Sequence, residues 1–164
     1  MQQRTNHTQG KRFWNQICLI GGLAVQYWVE IRKTDDIDLA VFGKDIDRVK
    51  KEFLGGQKSL LGYSFKLDGV NVDVLSADHF DWAEATITNA IEYDFIGTKI
   101  KVAMPECLIL FKLVSMRDRN VSDVLALLTL KGVPNKARDL VWKYKPTDIE
   151  DFEQMIKMAE MGQI

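Results

Sequence analysis

The sequence has few of the residues that form disulfides and zinc sites, with two cysteines and two histidines among its 164 residues. Cys18 and Cys107 both lie in apolar stretches, which favours buried free thiols over a disulfide or a metal site. No apolar run is long enough to span a membrane, and the first sixteen residues lack the hydrophobic region of a signal peptide. These absences predict a cytoplasmic protein that does not interact with membranes.

The sequence also lacks an excess of charge of either sign. Its 22 basic and 23 acidic residues give a formal net charge of -1, so an anionic ligand must be held by local groups or by a metal ion. Hydrophobic residues make up 46% of the chain, which is enough to fill a core. The length fits one domain, or one domain with a helical appendage.

Periodicity and turn residues predict an α+β protein whose strands come first and whose helices come last. Strands are expected at residues 17–20, 37–42, 60–67, 70–75, 91–95 and 98–103. Helices are expected at residues 11–16, 23–31, 45–54, 105–116, 120–131, 135–142 and 147–161, with a short helix or irregular segment at 79–89. The sheet therefore belongs to residues 1–103. Residues 104–164 form a helical region that packs on this core, either separately or as part of one domain.

Three aspartates carry the chemistry that the sequence suggests. Asp36 and Asp38 are two apart on a predicted strand, so their carboxylates point to the same face. Asp73 lies between Val72 and Val74 on a later strand and points away from them. If the two strands are neighbours, the three acids can converge on a pair of divalent ions, as in-line displacement at phosphorus requires. The alternative is that each aspartate is simply a solvated turn or strand residue.

Gly21 and Gly22 stand between a predicted strand and a predicted helix. Glycines at such a junction let backbone N–H groups approach a phosphate, and the helix N-terminus favours negative charge. The alternative is a turn that only needs a positive φ. Because the two acids follow one short helix later, we favour phosphate binding.

This pattern resembles the DNA polymerase β-type nucleotidyltransferase superfamily, in which a glycine turn, a helix, a strand with Asp-x-Asp and a later acid follow one another. Within it, Arg32-x-Thr34-x-Asp36-Ile37-Asp38 is similar to the segment found in lincosamide nucleotidyltransferases and abortive-infection (AbiEii-type) toxin nucleotidyltransferases. The resemblance implies a nucleotidyltransferase fold with a mixed, mostly antiparallel sheet flanked by helices and a helical C-terminal third.

The downstream helix adds to the resemblance. Lys112 lies near the end of the segment that starts at Pro105, and Arg117, Arg119 and Asp123 follow it, as in the toxin-type members. The resemblance extends over residues 17–128. An alternative for Asp123 is a place near the start of a new helix capped by Asn120, where it would suit the helix dipole without a catalytic role.

The resemblance implies two sets of site residues. Asp36, Asp38 and Asp73 would be catalytic and would bind two Mg²⁺ ions. Nucleotide-binding roles would fall to Gly21, Gly22, Arg32, Thr34 and Lys112, with Arg119 and Asp123 as further candidates.

The implied reaction is the transfer of a nucleoside monophosphate from a nucleoside triphosphate, such as ATP, to a hydroxyl acceptor. The acceptor stays open between tRNA, protein and an antibiotic-like small molecule. A protein partner, as in a toxin–antitoxin system, is a further expectation. The competing hypothesis is a non-catalytic module that keeps the fold and acts by binding nucleotide or protein.

Overall fold

The computed structural model describes residues 16–162. The helix predicted at residues 11–16 lies outside these residues, apart from its last position. The strands are β1 (Cys18–Ile20), β2 (Ile37–Val41), β3 (Gln57–Ser59), β4 (Gly62–Leu67), β5 (Val70–Ser76), β6 (Ile91–Phe95) and β7 (Thr98–Val102). The α-helices are α1 (Gly21–Trp28), α2 (Ile46–Glu52), α3 (Ala83–Asn89), α4 (Pro105–Lys112), α5 (Asp118–Leu128), α6 (Val133–Tyr144) and α7 (Ile149–Glu160).

The described chain divides into two compact units. The sheet unit contains residues 16–20 and 35–103, and the helical unit contains residues 21–34 and 104–162. The domain assignment made from the sequence, with its boundary at residue 103, stays a prediction.

The seven strands form one sheet in the order β3-β4-β5-β2-β1-β7-β6. The pairs β2–β5 and β1–β7 are parallel, and the other four pairs are antiparallel. The predicted fold class, α+β with a mixed, mostly antiparallel sheet and a helical C-terminal third, is confirmed. The six predicted strands are all present, and β3 is the one that the sequence analysis missed.

The turn between β4 and β5 sets the register of both strands. Asp68 and Gly69 have φ of 49° and 82°, the conformation of a two-residue hairpin turn. Leu67 therefore pairs with Val70, and Ser64 pairs with Asp73 three steps further along. Asp-Gly between two strands is a strong sequence signal for this hairpin, and the register of the turn determines which side chains stand beside Asp73.

One face of the sheet carries an apolar core, which contains Val49 of α2 and alternate residues of the central strands. Its buried members are Ile17, Val41, Val49, Tyr63, Phe65, Val72 and Val74, with Ile37, Leu39, Ile46 and Phe53 packed against them. Because side chains alternate along a strand, the residues between these core positions point to the opposite face. Asp38, Ser64 and Asp73 lie on that opposite face.

The helical unit has its own core, in which α4 contacts α1, α5 and α6, and α7 contacts α5 and α6. Fully buried side chains include Leu108 and Leu110 of α4, Leu127 of α5 and Phe152 of α7. The helix predicted at residues 105–116 ends at Lys112, and α5 begins at Asp118. No helix within residues 16–162 is long and apolar enough to cross a membrane.

Candidate functional site

A row of polar side chains crosses the centre of the sheet. Asp38 of β2 is the register partner of Asp73 on the parallel strand β5, and Ser64 of β4 is the partner of Asp73 on its other side. Neighbouring strands lie about 4.8 Å apart, so the two aspartates are adjacent on one face. The structure thus brings together two of the three acids that the sequence singled out.

The other predicted acid, Asp36, is the residue immediately before β2. The amide Nδ2 of Asn71 donates a hydrogen bond to Asp36 Oδ1 at 3.3 Å. In the same way, the hydroxyl of Ser64 donates to Asp73 Oδ1. Among residues 16–162, no lysine, arginine or histidine forms an ion pair with Asp36 or Asp73. These carboxylates are therefore oriented by neutral donors and not by cations.

An open cavity of about 760 Å³ lies over this part of the sheet unit. Its lining includes both of these exposed carboxylates, their two neutral donors and Lys66. The remaining lining residues are Leu54, Gly55, Gly56, Gln57 and Phe65. A ligand in this cavity would therefore meet Asp36 and Asp73 together.

The geometry tests the proposed metal ligands in part. Within the described residues, no group of three or more His, Cys, Asp or Glu side chains is arranged to hold a metal ion. A fully formed three-aspartate ligand set is therefore not present. The adjacent oxygen donors of Asp38 and Asp73 still have the chemistry that Mg²⁺ prefers, because this ion often takes one or two carboxylates and completes its shell with water and substrate phosphates. The assignment of Asp36, Asp38 and Asp73 as metal ligands stays a prediction.

The two predicted phosphate-binding glycines open helix α1. Gly21 follows directly on Ile20, the register partner of Asp38, and has φ of +67°, which L side chains rarely adopt. A Cβ added to Gly22 would lie 3.0 Å from Thr34 Cγ2. A side chain would therefore be strained by the backbone at Gly21 and in tight contact with Thr34 at Gly22. Their role in binding phosphate, and that of Thr34, stays a prediction.

Three other predicted residues form a single cluster around a buried carboxylate in the helical unit. Asp123 is fully buried, and its Oδ2 lies 2.8 Å from Lys112 Nζ and 3.1 Å from Arg32 Nη2. Arg32 Nε also donates to Asp123 Oδ1 at 3.3 Å. The side chains of Lys112 and Arg32 are 11% and 34% exposed. One carboxylate thus faces two cations, and the cluster carries a net charge of +1.

This cluster corrects one hypothesis from the sequence. Asn120 does not cap α5, whose N-cap residue is Arg117. The side chain of Asn120 instead donates a hydrogen bond to the backbone carbonyl of Ser115. Asp123 lies in the second turn of α5 and its charge is balanced by Lys112 and Arg32, so the helix dipole does not explain its position. Arg119 is exposed and forms no ion pair with any residue from 16 to 162.

The sequence analysis missed the side chains that surround the acids. Ser64, Lys66 and Asn71 were not singled out because serine, lysine and asparagine on exposed strands are common. A signal did exist, since the Asp-Gly turn fixes the β4–β5 register and so places Ser64 opposite Asp73. Applying that register would have identified Ser64 from the sequence.

These features define a nucleotidyltransferase fold with an acidic row on its sheet, which consists of Asp38 and Asp73 together with Asp36 just before β2. No protein-family model and no curated protein matches the chain. Among solved structures, the solution structure of the antibiotic-resistance factor ANT(2'')-Ia is similar over 84% of this chain and 88% of that one, at 18% identity and a TM-score of 0.52. This likeness shows the fold and confirms that part of the sequence analysis.

Two further solved structures are similar to this chain with TM-scores below 0.5. The crystal structure of ANT(2'')-Ia in complex with adenylyl-2''-tobramycin has 16% identity and a TM-score of 0.48, with coverage of 90% of this chain and 88% of that one. An antigenic nucleotidyltransferase-like protein from Paracoccidioides brasiliensis has 15% identity, a TM-score of 0.47 and 84% coverage of each chain. The closeness to AbiEii-type toxins stays a prediction.

Proposed function

We propose that this protein is a nucleotidyltransferase that moves a nucleoside monophosphate from a nucleoside triphosphate to a hydroxyl acceptor. The observation that carries the proposal is the pairing of Asp38 with Asp73 on adjacent parallel strands of a nucleotidyltransferase fold, with Asp36 two residues before Asp38. A fold alone does not define an activity. The adjacent carboxylates of Asp38 and Asp73, with Asp36 nearby in the sequence, are what supports phosphoryl transfer here.

In this proposal, Asp36, Asp38 and Asp73 hold Mg²⁺ ions, which when bound neutralise phosphate charge and polarise the reacting phosphorus. Ser64 and Asn71 orient the carboxylates of Asp73 and Asp36 by donating one hydrogen bond to each. Because these donors are neutral, they fix the positions of the carboxylates and do not compensate their charge. Ser64 and Asn71 therefore act as positioning residues.

The nucleotide-binding roles fall to residues of the helical unit. Arg32 and Lys112 share one carboxylate, so the pair keeps one positive charge for a phosphate group. The backbone N–H groups at Gly21 and Gly22 add donors at the N-terminus of α1. Asp123 holds the two cations and prevents them from repelling each other.

The chemical identity of the acceptor stays open. The similar ANT(2'')-Ia is described as an antibiotic-resistance factor, which is consistent with a small-molecule acceptor. A tRNA or protein acceptor in a toxin–antitoxin system is the other proposal that the sequence resemblance supports. A second candidate function is a non-catalytic nucleotide-binding or protein-interaction module, and it is favoured by the lack of a complete three-residue metal group among residues 16–162.

The experiment is a transfer assay with Mg²⁺ and each labelled nucleoside triphosphate, in which total RNA, cell protein and amino-sugar or lincosamide antibiotics are offered as acceptors. The Asp36→Asn/Asp38→Asn variant should lose at least roughly a thousandfold in rate, as expected when electrostatic stabilisation of the transition state is removed. Asp35→Asn is the matched control, because Asp35 is an exposed aspartate next to Asp36 that does not line the cavity.

Labelled product that forms equally well with the double variant would disprove the roles of Asp36 and Asp38. No label on any acceptor with the wild-type protein, together with tight binding of a nucleotide, would favour the non-catalytic module.

A further inference from the structure

The charges that line the cavity indicate what kind of acceptor it takes. Among residues 16–162, three of the ten that line the cavity are charged, namely Asp36, Asp73 and Lys66. In the proposed function, Asp36 and Asp73 bind the Mg²⁺ ions that act on the reacting phosphorus. Of the described lining residues, Lys66 is then the charged one left for the acceptor.

Lys66 stands beside the acids on the same face of the sheet. It is two residues from Ser64 on β4, and its register partner is Asn71, the donor to Asp36. Lys66 is thus a diagonal neighbour of Asp73, at a Cα separation of roughly 7–8 Å. The lysine is exposed and forms no ion pair with the described part of the chain, so its charge is available to a ligand.

The other lining residues within the described part of the chain are uncharged. Gln57 contributes a neutral amide, Gly55 and Gly56 contribute backbone, and Leu54 and Phe65 contribute apolar surface. Among the lining residues that the structure describes, a polycationic amino sugar would find no carboxylate apart from Asp36 and Asp73, which the reaction uses. An acceptor with an anionic group would find Lys66 in the same cavity as Asp73.

We propose that the acceptor is a hydroxyl compound that carries a phosphate group, with the phosphate on Lys66 and the hydroxyl beside Asp73. This inference rests on the proposed function and specifies its substrate class. In the reaction, the acceptor oxygen bonds to the α-phosphorus and the bond from that phosphorus to the pyrophosphate oxygen breaks. Pyrophosphate leaves, and the hydroxyl proton passes to a carboxylate of the cavity. The phosphate on Lys66 takes no part in bond making and determines only which acceptor binds.

The test compares acceptors that differ only in the phosphate. Binding of ribose and of ribose 5-phosphate is measured by titration calorimetry with the full chain, without nucleotide, so that this readout is independent of transfer. A charge-assisted hydrogen bond predicts binding of ribose 5-phosphate that is tighter on the order of tenfold. A short oligoribonucleotide with a free 3′ hydroxyl is the second phosphate source, and the tighter of the two ligands identifies whether the phosphate belongs to a free sugar or to a polynucleotide.

Three substitutions at Lys66 and one control complete the design. Lys66→Gln should abolish the preference for phosphate, Lys66→Arg should keep it, and Lys66→Glu should reverse it in favour of tobramycin. In transfer assays Lys66→Gln and Lys66→Glu should raise the KM for the acceptor, Lys66→Arg should leave it unchanged, and none of the three should change the KM for the nucleotide. Lys58→Gln is the matched control, because Lys58 is an exposed lysine on the neighbouring strand β3 that does not line the cavity.

The outcomes separate the two proposals. Tighter binding of tobramycin than of ribose 5-phosphate by the wild-type protein, or a phosphate preference that survives Lys66→Gln, overturns the acceptor class and leaves the nucleotidyltransferase proposal intact. If the preference depends on Lys66 but no labelled nucleotide reaches any acceptor, the phosphate site stands and the proposed transfer activity fails.

Discussion

Two aspartates of the sheet unit, Asp36 and Asp73, are held in the opposite way to Asp123 of the helical unit. Asp36 and Asp73 are exposed and accept hydrogen bonds from neutral side chains, Asn71 and Ser64. Asp123 is fully buried and is held by two cations, Lys112 and Arg32. Asp36 and Asp73 therefore carry negative charge that no ion pair balances, whereas the cluster of Asp123, Lys112 and Arg32 has a net charge of +1.

This difference shows how one kind of residue can serve two purposes. A carboxylate held by neutral donors is oriented but can still attract a metal ion. A buried carboxylate held by cations is fixed, and removing it leaves charges that the protein cannot solvate. The two sets should accordingly respond differently to the same Asp→Asn change.

The largest expected effect is on stability in the helical unit. Asp123→Asn removes the charge that Lys112 and Arg32 share, so we expect a loss of about 3–5 kcal/mol in the free energy of unfolding. Asp73→Asn, the matched change in the sheet unit, should cost less than about 1 kcal/mol, because this carboxylate is exposed. Urea unfolding of the two variants measures both values. Equal losses at Asp123 and Asp73 would show that burial and pairing do not distinguish them.

A smaller effect is expected when divalent ions bind to the acidic row. Mg²⁺ or Mn²⁺ at ten times its dissociation constant should add about 1.4 kcal/mol to the free energy of unfolding and raise Tm by a few degrees. Asp38→Asn should remove this increase. Glu153→Gln, which changes an acid of the helical unit, should retain it, and thermal unfolding with and without the ion is the measurement. An increase in Tm that persists in Asp38→Asn would place the ion elsewhere.

The smallest effect concerns an exposed ion pair in the helical unit. Arg138 Nη2 donates to Glu153 Oε2 at 3.2 Å, and Arg138 Nε donates to Oε1 of the same carboxylate. This hydrogen bonding lowers the pKa of Glu153 from its ordinary value, with the charge of Arg138 as a smaller cause, and raises the pKa of Arg138. Both side chains are about one third exposed, at 33% and 35%, so solvent screens the pair and its contribution to the free energy of unfolding is small.

A lowered pKa in the folded state means that the stabilisation is present above the ordinary pKa of glutamate and is lost as the pH falls through the folded value. Glu153→Gln should therefore lower the free energy of unfolding by less than about 1 kcal/mol at pH 7. This loss should become smaller as the pH falls below the ordinary pKa of glutamate. Arg138 stays charged throughout this window. Urea unfolding of both proteins at neutral and acidic pH gives the comparison, and a cost that grows on acidification would contradict the sign.

Much of the sheet could be predicted because its turns are specified locally. Asp68-Gly69 predicts a two-residue hairpin, and the structure has the required positive φ at both positions. Strand β3 was missed because Gln57, Lys58 and Ser59 are polar and show no apolar alternation. It exists through its pairing with β4, which is a tertiary effect.

The candidate site was predictable only in part, for a similar reason. Asp36 and Asp38 are two apart in the sequence, and Asp73 lies between two valines, so local patterns identified all three. That Asp38 and Asp73 are direct register partners depends on β2 and β5 meeting in parallel, which local patterns do not specify. The contact of Asp123 with Arg32 spans 91 residues, and no spacing rule reaches that far.

The sequence by itself determined the α+β class, the positions of most elements and the identity of the acids, because these follow from periodicity and short-range turn chemistry. Only the tertiary structure decided which groups hold those acids: neutral donors at Asp36 and Asp73, and two cations at Asp123. The physical reason is that the behaviour of a carboxylate depends on its burial and on the charge of its neighbours, and both come from distant parts of the chain.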